Sequence, residues 1–214
     1  MNIYFLDSDA YQFDDSTRSL VRSIAEDTEQ ELRVLLPQLE SRIHLVIMPS
    51  KDVIPETGES ATTLTPFSIQ MRVNPWDERG VEQIMKNKLR STLFHEAHHA
   101  ARATQQPWRY NLTANAITEG LATAFERDNG GPVPPWGEYD TATIRSWTEE
   151  LLALDSATTN HQQYFFNHPD GRRWIAYRVG TYIVDQAIMR NEGLTAASLV
   201  VESPDAILKL AGLE

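Results

Sequence analysis

In the stretch Leu93-Phe94-His95-Glu96-Ala97-His98-His99-Ala100-Ala101-Arg102, two histidines stand four residues apart, with a glutamate directly after the first. The surroundings decide how this is read. Val81, Ile84, Met85, Leu89 and Leu93 recur at helical spacing ahead of it, so the stretch falls on a helix running from the Asn74-Pro75-Trp76 turn to about Ala103. On an α-helix a spacing of four is ~40° of rotation and ~6 Å of rise, so His95 and His99 project from one face. Two neutral imidazoles so placed can hold one divalent cation. Glu96 lies ~100° round from His95. That keeps it from sharing the cation with both histidines but lets it reach a water bound there, the position of a general base. His98, ~300° from His95, does not complete the same face; it reads as a polar residue at a cleft edge or against a neighbouring helix.

A catalytic zinc usually takes three protein ligands and a water. Glu119 stands 20 residues after His99, in Ile117-Thr118-Glu119-Gly120-Leu121-Ala122, early in the next helix of about Thr113 to Asp128. Gly120 leaves room for a close helix–helix approach. A helical hairpin would bring Glu119 back over the two histidines, and the spacing predicts it as the third ligand. The alternative is a solvated glutamate that complements a helix dipole.

Outward from this core the chain reads as α+β, with a small mixed or antiparallel sheet first and helices after it. Strands are expected at residues 2 to 6, at Arg42 to Met48, and at Phe67 to Val73, where Phe67, Ile69, Met71 and Val73 alternate with polar residues. Asp14 to Leu36 has helical spacing, with Asp14, Asp15 and Ser16 as capping candidates and Pro37 at its end. Residues 50 to 65 carry Pro, Gly, Ser and Thr without periodicity and are expected to form a loop. Further helices are expected over 140 to 155, 172 to 191 and 203 to 211. The expected organisation is a single domain over 1–214, sheet-rich to about 75 and helical from about 76.

Composition limits the function. The chain has 214 residues and a formal net charge of -11, with no cysteine. So acidic a chain lacks the clustered Lys and Arg that nucleic-acid backbones require, and an anionic membrane surface would not attract it. Thiolate metal sites and disulfides are excluded. The N-terminal residues lack the basic and apolar regions of a secretory signal, and no apolar run is long enough to span a bilayer, so a cytoplasmic location is expected.

The pattern His-Glu-x-x-His with a Glu 20 residues on, in Glu119-Gly120-Leu121-Ala122, resembles the gluzincin metallopeptidases, the thermolysin-like branch of zincins. The Phe67–Trp76 strand and turn, His95 to Arg102, Glu119 to Ala122, and Tyr177-Arg178-Val179-Gly180 together look like a bacterial family of predicted zinc-dependent proteases, long catalogued as a domain of unknown function. This resemblance covers roughly residues 65 to 190. It implies a zincin-like fold, with Zn²⁺ held by His95, His99 and Glu119, Glu96 as base, and a peptide or protein as substrate. In zincins a sheet-edge strand above the metal helix pairs with extended substrate, a part that Phe67 to Asn74 would play.

One departure is visible. Many gluzincins carry an acidic residue four positions after the third ligand, to orient a bound histidine. Here that position is Thr123, and Glu126 or Asp185 would have to substitute. For the oxyanion donor the candidates are Tyr177, Tyr182, Arg178, His161 and His168; Tyr177 is taken first, on a helix that Gly180 lets pack closely on a neighbour, although it reads equally as a core residue, as Tyr182 does more readily, and His168 reads also as a solvated loop residue. Rival readings are an inactive or regulatory zincin that binds peptides or partners without cutting, another zinc-dependent amide hydrolase, and a helical interaction module without metal.

Overall fold

Asp14 starts the first long helix. Its carboxylate accepts the Thr17 backbone N–H at 2.7 Å, capping α1 (Asp15–Leu35) at the N-terminus, and that bond is the main reason its pKa falls below the ordinary value. In a computed structural model that describes residues 1–106 and 111–213, the chain divides into two compact units, Met1–Thr104 and Gln105–Glu214.

The first unit is built on a four-stranded mixed sheet. Its strands are β1 (Asn2–Phe5), β2 (His44–Pro49), β3 (Glu59–Thr65) and β4 (Ser68–Val73), in the order β1-β2-β4-β3. β1 pairs with β2 and β2 with β4 in parallel, while β3 pairs antiparallel with β4. Period-two alternation buries Leu45 and Ile47 of β2 and Ile69, Met71 and Val73 of β4 completely. Against this face lies α2 (Val81–Ala103), which contacts β3 and β4 and packs along α1. Val21, Ala25 and Leu32 of α1 and Ile84, Met85, Leu89 and Leu93 of α2 fill the core between them.

Two expectations change here. Residues 50 to 65 are not all loop, because the second half forms β3. Its threonines, Thr62, Thr63 and Thr65, suit an extended pleat, but they carry no large apolar side chains to produce a visible alternation. As a result β4, which takes up most of the Phe67–Val73 segment, is flanked on both sides, and the edge strand beside α2 is β3. Phe67 lies in the turn before β4 and is half exposed rather than part of the buried face.

The second unit is helical. It contains α3 (Leu112–Phe125), which widens into a π-helical turn at Glu126–Gly130, then α4 (Ile144–Ala153), α5 (His161–Phe165), α6 (Ile175–Arg190) and α7 (Pro204–Ala211). The expected helices over 140–155, 172–191 and 203–211 are present within a few residues; α5 and the π turn were not anticipated. α3 and α6 cross at two glycines. A Cβ on Gly120 would fall 2.0 Å from the carbonyl carbon of Gly180, and one on Gly180 would fall 1.8 Å from the Ala116 oxygen. The two helix backbones therefore touch, which no other residue type permits. Trp174 caps α6 in the left-handed region (φ 55, ψ 38), a conformation that costs an L-residue ~1–2 kcal/mol. Trp136 packs edge-on against its indole and Arg173 lies over it.

Candidate metal centre

The second half of α2 carries the candidate site. From Leu93 to Arg102 every residue is buried, including His95, Glu96, His98, His99 and Arg102. The small residues among them are Ala97, Ala100 and Ala101. His95 and His99, one turn apart, converge: their Nε2 atoms are 3.1 Å apart, with ring centroids 4.8 Å apart and planes at 74°. Two nitrogens each ~2.05 Å from one tetrahedral zinc would be about 3.3 Å apart. The pair therefore has the spacing of two ligands to a single ion, and the imidazoles fit zinc in chemistry as well as in distance.

Glu96 points elsewhere. The Oγ1 of Thr63, on β3, lies 2.7 Å from Glu96 Oε2 and 2.8 Å from the Glu96 carbonyl oxygen. The glutamate between the two histidines is thus tethered to the edge strand. His98 is fully buried, so of the two positions expected for it the cleft edge does not apply.

A family model described as predicted Zn-dependent protease (DUF2268) matches residues 21–209. The chain belongs to this family. No curated relative and no solved structure matched it. The match runs from within α1 to within α7, well beyond the segment that carries the sequence resemblance. The family description ties the chain to zinc and to proteolysis as predicted properties, and no helix of the described residues is long and apolar enough to cross a membrane.

The remaining candidates of this DUF2268 chain lie in the second unit. Glu119 is half-buried on α3, one residue before the Gly120–Gly180 crossing. The close approach that Gly120 permits is thus to α6. Tyr177, in the first turn of α6, is half-buried between the rings of Trp136 and Phe165. Tyr182 packs edge-on against Tyr139. Arg178 donates from Nη2 to the Pro135 carbonyl at 3.3 Å, and burial holds its pKa below the ordinary value. His161 Nε2 lies 3.1 Å from the Ser156 carbonyl, and His168 Nδ1 lies 2.8 Å from Asp170.

Of the residues considered as substitutes for the acid missing at Thr123, Asp185 has its own partners. Arg127 grips it with both Nη atoms at 3.0 Å and Tyr139 donates to it at 2.6 Å. Glu126 is buried in the π turn that follows α3. Thr123 itself is completely buried. Sequence reasoning missed Thr63 altogether, because it lay in a segment read as loop. The available signal was the β-branched run Thr62-Thr63 with Thr65 close behind, which favours a strand.

Proposed function

We propose that this protein is a zinc-dependent peptidase in which His95, His99 and Glu119 hold the cation and Glu96 is the general base. Two imidazoles and one carboxylate are a donor set that suits catalytic zinc and leaves a fourth position for water. The observation that carries the reading is the 3.1 Å approach of the two Nε2 atoms one residue from a buried glutamate, in a chain of a predicted zinc-protease family. When bound, zinc lowers the pKa of its water toward ~7 and polarises a carbonyl.

The chain's own groups supply the rest. Glu96 accepts the proton of the attacking water and passes it to the leaving nitrogen, so one carboxylate serves as base and then as acid. β3 is an edge strand, and an extended peptide would add to it as a further strand beyond Glu59, whose carbonyl already bonds to Ile54 and Thr57. Tyr177 is the proposed donor to the oxyanion, its hydroxyl acting where negative charge develops. The substrate class is peptide or protein.

The test is metal analysis together with one substitution. Protein purified after zinc supplementation should carry close to one equivalent of zinc, and should cleave members of a peptide library. Glu96→Gln should retain the zinc and lose about 10²- to 10⁴-fold in turnover, the usual contribution of a general acid–base group. Less than about a tenth of an equivalent of zinc would rule out the metal site, and full activity in Glu96→Gln would rule out the base.

A further inference from the structure

Thr63 stands on the edge strand with its side chain turned inward and buried, while its neighbours Thr62 and Leu64 are exposed. Its hydroxyl has two acceptors within reach, the carboxylate and the main-chain carbonyl of Glu96, but only one proton to give. The carbonyl lies mid-helix, where the amide four residues on already bonds to it. The carboxylate oxygen is the better acceptor of the two and takes the shorter bond. The proton therefore goes to Oε2.

We propose that Thr63 is a positioning residue for Glu96. Its hydroxyl fixes Oε2 and leaves the second carboxylate oxygen, Oε1, to take the proton of the attacking water. A glutamate side chain otherwise has several rotamers available, and restricting it to one keeps the base at a constant distance from its proton. The residue type suits the task. A β-branched side chain on a strand has little χ1 freedom, so the donor is itself preorganised. The location adds a consequence: the strand that would align an extended peptide is also the strand that aligns the base, so substrate and base share one reference frame. Register between β3 and β4 shifts between Thr63 and Thr65, immediately after this residue. The regular part of the edge therefore ends where the tether is made.

The proposal rests on the peptidase reading, and its test separates the two. Thr63→Val keeps shape and removes the donor; Thr63→Ser keeps the donor. With a cleaved peptide, Thr63→Val should lower kcat about tenfold or more, the worth of one hydrogen bond to a charged group, with KM and bound zinc little changed. Thr63→Ser should recover most of that loss. In a Glu96→Gln background Thr63→Val should cost almost nothing further, because there is no base left to position. An equal loss in both backgrounds would overturn the proposal, as would a Thr63→Val enzyme with unaltered kcat. Where Thr63→Val does not fold, Thr63→Ala against Thr63→Ser reads the same difference. Crystal structures of the zinc-loaded variants provide a readout without turnover. The Glu96 carboxylate should leave its place in Thr63→Val and keep it in Thr63→Ser. If the parent cleaves no peptide, the peptidase reading fails, yet an unmoved carboxylate in Thr63→Val would still refute positioning on its own.

Discussion

Gly180 and Gly120 face each other across the α3–α6 crossing with no room for a methyl group on either. A Cβ at Gly180 would fall far inside van der Waals contact with the Ala116 oxygen, and one at Gly120 far inside contact with the Gly180 carbonyl carbon. The obstacles are backbone atoms, which no rotamer change can move aside.

Gly180→Ala and Gly120→Ala should therefore each destabilise the helical unit by ~3 kcal/mol or more, the upper end of overpacking costs, because the helices must separate. Chemical denaturation followed by circular dichroism measures this. A loss below 0.5 kcal/mol, the scale of an ordinary surface substitution, would mean that the helices do not cross so closely.

Binding of a cation to the folded state alone must raise thermal stability. At a zinc concentration ~100 times Kd the gain is ~2.7 kcal/mol. His95→Ala, His99→Ala and Glu119→Ala should each abolish or greatly reduce the zinc-induced rise in Tm, whereas Glu96→Gln should preserve it. A Glu119→Ala protein that responds to zinc like the parent would remove Glu119 from the ligand set and leave the histidine pair in place.

Tyr139 provides a prediction at alkaline pH. Burial, and after it the hydrogen bond to Asp185, raise its pKa above the ordinary value of 10.0. A folded-state pKa above the unfolded one adds stability that is complete below about pH 10 and is lost as pH rises through the folded value. Tyr139→Phe should cost ~1.5 kcal/mol at pH 7, the typical worth of a bond to a charged acceptor. The gap from the parent should narrow in denaturation series carried above pH 10. A gap that widens there would show the sign to be wrong.

Much of this was legible in the sequence. Strong helical periodicity marked α1 and α2, where charges alternate with Leu and Ile, and the cap at Asp14 and stop at Pro37 bounded α1 closely. The His95/His99 pair could be placed on one face from spacing alone. β3 was not legible, because a strand of Ser, Ala and Thr that buries only Glu59 and Thr63 produces no apolar alternation. Without β3 the Phe67–Val73 strand reads as the sheet edge, and nothing local points to the tether on Glu96. That tether joins residues 33 apart in the chain, and such a pairing is set by tertiary packing, not by any local pattern. His98 shows the same limit. Its angle round the helix was calculable, but its complete burial depends on what encloses α2.

The sheet has one further consequence, for the order in which the protein folds. Only β3 and β4 are joined by a short turn, whereas β1 must wait for all of α1 and the following loop before β2 arrives, and β2 meets β4 only after β3 has been laid down beyond it. Local pairings close quickly and parallel ones slowly, because loop entropy must be overcome before non-local contacts give any return. The β3–β4 hairpin is thus the natural first piece of the sheet. Thr63 would then already be in its strand before α2 docks, so that the Glu96 carboxylate meets its hydrogen-bond donor as the core closes.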